Sequence, residues 1–263
     1  MKVKFTKMSG AGNDFVFLGP EYAEIVPRLA EVARTLCRRR LSVGADGLIL
    51  VERGPAGIVM HYFNSDGSEA SFCGNGARCL VRYCAAKGIA RGRMRFASRS
   101  GEHSGEETPD GVTVEMAGPV LAGRQTVNVG GCDYRVHLVR AGVPHAVILG
   151  GPVGAIDVEG IGKKIRNHPA FMPDGANVDF VDAAGGAPFA LRTYERGVER
   201  ETLACGSGCV ASALALKLEG VAGAEVALKV ASGDVLTVAL PEAGGQARLA
   251  GPAVVVYEGE IDL

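Results

Sequence analysis

The stretch Tyr62-Phe63-Asn64-Ser65-Asp66-Gly67-Ser68-Glu69-Ala70-Ser71-Phe72-Cys73-Gly74-Asn75-Gly76 is answered 132 positions later by Tyr194-Glu195-Arg196-Gly197-Val198-Glu199-Arg200-Glu201-Thr202-Leu203-Ala204-Cys205-Gly206-Ser207-Gly208. Aligned without a gap, Tyr, Glu, Cys and both glycines coincide. Each copy then runs into a helix-like segment. The repeat implies that the 263 residues comprise two halves built on one plan. Its expected consequence is a pair of cysteines facing each other across a cleft, as acid and base.

Further echoes extend the duplication. Ala11-Gly12 returns as Ala141-Gly142, and Gly44-Ala45 before an apolar run returns as Gly175-Ala176 before another. Ala117-Gly118-Pro119 returns as Ala250-Gly251-Pro252. The matches occur in order, with offsets drifting only from 130 to 133. The Gly-Pro pairs set the expected boundaries: residues 1–118 form one domain and 119–251 the other. The strand-like tail 252–263 returns to the first.

Between these markers the periodicity yields elements. Val3 and Phe5, then residues 15–18, read as two strands separated by a glycine-rich break at 9–14. Residues 21–38 read as one helix with Pro27 near its start and a stripe of Val26, Leu29, Ala30, Ala33, Leu36 and Cys37. Arg38-Arg39-Arg40 reads as its solvated end. Residues 48–51 and 58–64 are strands, the second leading into the first cysteine. Ala77, Leu80, Val81 and Cys84 fall on one helix face, and Lys87-Gly88 stops that helix. Residues 209–218 are apolar almost all round, which marks a helix buried inside its half. Strands follow each helix, around 93–97, 112–116, 226–230 and 235–240.

Composition narrows the partners. Hydrophobic residues make up 47% and charged ones 22%, with a net charge of −1. A globular chain of that balance has no electrostatic claim on nucleic acid or an anionic membrane. No window approaches the ~18 apolar residues of a membrane span. The N-terminus lacks the apolar core of a signal peptide. Seven cysteines, an odd number, then read as reduced thiols in a cytoplasmic protein.

Each repeated cysteine stands where a Gly-x-Gly turn opens a helix. The first helical N–H groups lack intrahelical partners and the dipole is positive there. A thiolate is favoured, which would lower its pKa from ~8.5 towards neutrality. The dipole alone supplies roughly 0.3–1 kcal/mol, so a larger shift needs burial or a neighbour. A carboxylate can also rest on those N–H groups. Two such helix ends could grip one carboxylate and set a thiol on either face of the adjacent carbon. One thiolate removes a proton and the opposite thiol returns one, with the same N–H groups stabilising the enolate-like charge. No pyridoxal phosphate is required. Competing readings are a zinc site and a redox dithiol. Cys73 and Cys79 enclose five residues and Cys205 and Cys209 three, neither making a short knuckle nor a Cys-x-x-Cys. Gly74-x-Gly76 lacks the third glycine of a dinucleotide fingerprint.

Along nearly its whole length the chain resembles the diaminopimelate epimerase family. The matching pieces are Lys7-Met8-Ser9-Gly10-Ala11-Gly12-Asn13-Asp14-Phe15-Val16, Val43-Gly44-Ala45-Asp46-Gly47-Leu48, Asn64-Ser65-Asp66-Gly67-Ser68-Glu69, Cys73-Gly74-Asn75-Gly76-Ala77-Arg78-Cys79, Gly142-Val143-Pro144-His145, Asn177-Val178-Asp179-Phe180-Val181, and Tyr194-Glu195-Arg196-Gly197 followed by residues 201–208. The resemblance implies an α/β fold of α+β type: two pseudo-symmetric domains, each a curved, mostly antiparallel sheet around a central helix. It implies cofactor-independent conversion of LL-2,6-diaminopimelate to the meso form, in lysine and peptidoglycan synthesis, by a protein that can be a homodimer. It makes Cys73 and Cys205 the two bases and assigns no metal. Gly74, Asn75, Gly206 and Ser207 would bind the reacting carboxylate through backbone N–H groups. Asn13, Asn64, Asn177 and Arg196 would hold the distal amino-acid end, and Arg196 suits a second carboxylate bidentately. His145 and Glu195 would touch the reacting amine and tune the thiols. Val143 stands where an Asn often precedes Pro-His, and Gly47 where some members carry a Gln. Both differences bear on specificity, leaving a racemase of another amino acid as the alternative.

Overall fold

The computed structural model describes residues 1–55, 57–242 and 244–263. The chain divides into two compact units, Met1–Val114 with Gly251–Leu263, and Glu115–Ala250.

The first unit begins with β1 (Lys2–Gly10) and β2 (Asn13–Leu18). They pair through Gly10 and Asn13, so the turn is only Ala11-Gly12. Both turn residues have positive φ, 55° and 95°, the hairpin geometry whose twist matches the strands. The break expected at residues 9–14 is therefore too wide: polar and glycine residues on both sides of the turn stay in the ladder. A 3-10 segment, Pro20–Arg28, precedes α1 (Leu29–Leu36). The single helix expected over 21–38 is thus split. Pro27 cannot donate a backbone hydrogen bond, and regular α-helix begins only beyond it. Leu29, Val32 and Leu36 of α1 pack on Val16, Leu18, Leu48 and Leu50.

There follow β3 (Gly47–Gly54), β4 (Gly57–Asn64), α2 (Gly74–Ala86), β5 (Met94–Ser98), β6 (Gly101–Thr108) and β7 (Gly111–Met116). α2 packs against β1, β2 and β6, and Tyr83 stacks on Phe17 at 5.1 Å.

The second unit contains β8 (Val120–Val129), β9 (Cys132–Ala141), β10 (Val143–Gly150), α3 (Val158–Arg166), β11 (Asn177–Asp182), β12 (Phe189–Glu195), β13 (Arg200–Thr202), α4 (Gly206–Leu218), β14 (Glu225–Lys229), β15 (Val235–Ala239) and β16 (Ala247–Gly251). α4 packs on β9, β10, β11, β14 and β15, and its residues from Gly208 to Ala213 are buried, as its all-round apolar sequence requires. Asp157 caps α3 by accepting from Gly160 N at 2.9 Å. On the far side of the sheet α3 joins Phe180, Val178 and Tyr194 in a separate core.

The last strand, β17 (Val254–Asp262), lies antiparallel to β1 in the first unit. With it in place the two units show the same ladder. In the first, β17·β1 and β1·β2 are antiparallel, β2·β3 parallel, β3·β4 antiparallel, β4·β5 parallel, and β5·β6 and β6·β7 antiparallel. In the second, β8·β9, β9·β10, β10·β11, β11·β12, β12·β14, β14·β15 and β15·β16 repeat that order of signs. α2 and α4 are both 13 residues long. The fold is α+β, two pseudo-symmetric halves, each a curved and mostly antiparallel sheet around one central helix. Among the described residues no helix is long and apolar enough to cross a membrane.

Candidate active site

Cys73 and Cys205 occupy the same local structure. Each precedes its helix in extended conformation, with φ −143° and ψ 118° for Cys73 and φ −120° and ψ 111° for Cys205. Their carbonyls start the helices, accepting from Ala77 N at 2.8 Å and from Cys209 N at 3.0 Å. At Cys73 the sulfur takes the place of the oxygen that usually caps such an end: Gly76 N donates to Cys73 Sγ at 3.5 Å. At Cys205 the sulfur makes no such cap bond, and lies 3.5 Å from Ser207 Oγ instead. Backbone donors at Gly74, Asn75, Gly206 and Ser207 belong to the first turns, which have no intrahelical acceptors for them.

The thiols differ in exposure. Cys73 is half-buried and Cys205 buried. Burial pushes the Cys205 thiol well above the ordinary value, and the charges of Glu195 and Asp179 push the same way. The Ser207 hydroxyl and the Gly208 backbone N–H pull it down without prevailing. The lowered thiol pKa expected from the helix end is thus reversed at Cys205, because desolvation outweighs a dipole contribution of under ~1 kcal/mol. Cys37, Cys79 and Cys84 are buried and pushed up to about 12 by desolvation, as inert core thiols are.

In the first unit the amide of Asn13 is locked from both ends. Its Nδ2 donates to Asp46 at 3.1 Å, and its Oδ1 accepts from Asn75 at 2.6 Å. Asn75 Oδ1 in turn accepts from Arg78 at 2.8 Å. Arg78 is fully buried, and it also reaches Pro252 O at 3.4 Å. Behind Asn13, Asp14 holds Lys7 at 2.8 Å and Arg39 at 2.6 Å, and Arg39 holds Asp46 at 2.8 Å. Burial opposes the Asp14 charge, but the Arg39 and Lys7 contacts win and keep its carboxyl below the usual range. Arg39 is therefore a clamp between β2 and the β3 approach rather than a merely solvated helix end.

Asn64 belongs to a different group, accepting from Tyr62 Oη at 2.9 Å and donating to Ser68 Oγ at 3.0 Å. A Cβ at Gly47 would lie 2.5 Å from Tyr62 Cε2 and 2.7 Å from Phe63 O. The Tyr62 ring fills the space a side chain at 47 would need.

In the second unit Asn177, His145, Ser207 and Cys205 come together. His145 Nδ1 lies 2.7 Å from Asp179 Oδ2, and its Nε2 lies 3.0 Å from Ser207 Oγ and 3.3 Å from Asn177 Nδ2. Ser207 Oγ is 3.5 Å from Cys205 Sγ. Asn177 Oδ1 accepts from Arg196 N at 2.7 Å, while the Arg196 guanidinium donates to Asp174 O at 3.0 Å. Glu195 accepts from Thr202 Oγ1 at 2.9 Å. The residues that sequence reasoning passed over are Asp179, Thr193, Arg78 and Tyr62. A charged residue inside the apolar strand Asn177-Val178-Asp179-Phe180-Val181 was the available signal, since an aspartate there must find partners. Among the described residues no group of three or more His, Cys, Asp or Glu side chains is disposed to hold a metal.

The family described as diaminopimelate epimerase matches residues 5–122 and 137–259. The chain belongs to the diaminopimelate epimerase family. A diaminopimelate epimerase of Aquifex aeolicus is 36% identical over 272 residues, covering 98% of each chain. Among solved structures, a phenazine biosynthesis protein of the PhzF family from Enterococcus faecalis superposes with a TM-score of 0.76 at 15% identity, covering 100% of both chains. A probable proline racemase from Agrobacterium radiobacter K84 does so at 0.71 and 16%, covering 99% of this chain and 93% of that one. At such identities these two report the shared fold. In the epimerase family, then, this chain carries both cysteines at the mouths of equivalent helices.

Proposed function

We propose that this chain is a cofactor-independent isomerase that converts LL-2,6-diaminopimelate to the meso form, with Cys73 and Cys205 as its two bases. The observation that carries the reading is the equivalent position of the two thiols, each on the residue that precedes a 13-residue helix, in the same extended backbone conformation. A two-base epimerisation needs two groups of one kind, each able to give or take a proton at the same carbon. Helix-end N–H groups of Gly74, Asn75, Gly206 and Ser207 would take the reacting carboxylate. Arg196, Asn13, Asn64 and Asn177 would hold the distal end, and Glu195 and His145 would tune the reacting groups. The buried thiol of Cys205 is protonated at neutral pH, which fits the acid of the pair.

The working form we propose is a cytoplasmic homodimer, with no nucleic-acid or membrane partner. Its support is the run Val254, Val255, Val256 and Tyr257 along β17, all exposed, an apolar strand of the kind that pairs with another chain unless covered.

A second reading, racemisation of another amino acid, is favoured by one observation: Tyr62 fills the space over Gly47, where some family members carry Gln. Exchange of the α-proton with solvent deuterium over a panel of amino acids separates the two. Diaminopimelate is expected to exchange in the wild type, and Cys73→Ala or Cys205→Ala to abolish exchange, while Cys132→Ala leaves it intact. Full exchange in either of the first two variants ends the two-thiol reading.

A further inference from the structure

A line of polar side chains runs from the interior of the second unit to the sulfur of Cys205. Thr193 Oγ1 donates to Asp179 Oδ1 at 2.7 Å, and Asp179 Oδ2 faces His145 Nδ1 at 2.7 Å. His145 Nε2 faces Ser207 Oγ at 3.0 Å, and Ser207 Oγ faces Cys205 Sγ at 3.5 Å. Asp179 and His145 are both 0% exposed.

The neighbours fix where the protons sit. An ionised carboxylate only accepts, so His145 Nδ1 carries a hydrogen towards Asp179. Asn177 turns its oxygen to Arg196 N, which leaves its NH2 group towards His145 Nε2. An amide NH2 only donates, so Nε2 presents a lone pair. Ser207 can then donate its hydroxyl hydrogen to Nε2 and accept from the Cys205 thiol. The chain of donors points one way, from sulfur to imidazole.

We propose that Ser207 and His145, positioned by Asp179, form a proton relay that charges and discharges Cys205. In the forward step the Cys205 S–H bond breaks and its proton passes to Ser207 Oγ. The original hydroxyl proton of Ser207 passes at the same time to His145 Nε2. The products are a thiolate, an unchanged serine hydroxyl and an imidazolium, whose charge faces the Asp179 carboxylate. The reverse step restores the thiol. Burial works against unaided ionisation of this thiol, and a proton acceptor inside the protein meets that need. Gly208 belongs to the device: a Cβ there would lie 2.4 Å from Asp179 Oδ1, so only glycine lets the helix end sit over the carboxylate. The relay rests on the reading of Cys205 as a reacting thiol.

The test uses the full chain and reads Cys205 without turnover. Iodoacetamide alkylation of Cys205 is followed by peptide mapping from pH 6 to 10 in wild type, Ser207→Ala, Ser207→Thr and Asp179→Asn, all checked for native circular dichroism. Ser207→Ala is expected to slow alkylation at pH 8 by about tenfold, the effect of one pKa unit, and Ser207→Thr to restore it by returning the hydroxyl. Asp179→Asn is expected to abolish the Nδ1–H signal of His145 in ¹⁵N spectra, by favouring the other tautomer. Alkylation curves for Ser207→Ala that coincide with wild type overturn the relay, even where the wild type exchanges α-protons. A displaced Ser207→Ala curve in a protein that exchanges no amino acid keeps the relay and removes the epimerase instead.

Discussion

At the scale of single residues, the two thiols share a backbone conformation and differ in burial. A thiol whose pKa is raised stays protonated below that value and gains reactivity only as pH rises through it. Cys205 is raised well above the ordinary thiol by burial, then by Glu195 and Asp179. Its alkylation in the wild type is therefore expected to rise with pH later than that of the amino acid cysteine in the same solution. Rates for Cys205 and for the free amino acid by mass spectrometry check this; equal profiles would contradict the raised value. Tyr62 illustrates a residue whose task lies in holding another. Its hydroxyl donates to Asn64 Oδ1 at 2.9 Å, which fixes the orientation of that amide. Tyr62→Phe removes one hydrogen bond, about 1 kcal/mol, so KM is expected to rise about fivefold with kcat nearly unchanged. Steady-state kinetics on diaminopimelate settle it, and a fall in kcat alone would assign Tyr62 a different role.

At the scale of elements, the cysteine helices were plain in the sequence because two signals coincide there: a Cys-Gly-x-Gly start and an apolar run after it. Other elements were less legible. α1 was extended too far back because an apolar stripe continues across Pro27, and periodicity does not register a missing N–H. The β8–β9 hairpin closes at Gly130-Gly131, whose φ values of 62° and 83° suit such a turn, and that pair was the overlooked cue. Arg78 was harder still. Nothing in a helix wheel says that a guanidinium is fully buried and paired with Asn75. Tertiary neighbours far along the chain, Pro252 among them, decide that. The same close packing is testable at β1. A Cβ on Gly10 would lie 2.8 Å from Asn75 O and 3.0 Å from Cys79 Sγ. Gly10→Ala must therefore push β1 off the start of α2, at a cost of about 1–3 kcal/mol. Urea denaturation should show that loss together with reduced turnover, since Asn75 and Asn13 are bonded there. An unchanged midpoint would mean that the backbone yields without strain.

At the scale of the whole molecule, duplication was readable because both halves kept their glycines, cysteines and apolar runs at nearly one offset. The hydrogen-bonded order of strands was not readable, since periodicity says that a segment is a strand and never which neighbour it takes. The structure supplies that order, and it is the same in each half. It also leaves Val254, Val255, Val256 and Tyr257 exposed along β17. Val256→Asp places a charge in that run, and the variant is expected to sediment as a monomer where the wild type sediments as a dimer. A monomeric wild type would remove the homodimer from the proposal.

The final strand has a consequence for the order of synthesis. β17 lies along β1, with Asp262 opposite Lys2 and Leu263 N donating to Met1 O at 2.9 Å. The stretch Glu115–Ala250 is continuous and holds every strand of its own ladder. Residues 1–114 leave the ribosome first, yet their sheet is complete only once β17 has been made. In a growing chain, the part made second is the part equipped to finish folding first.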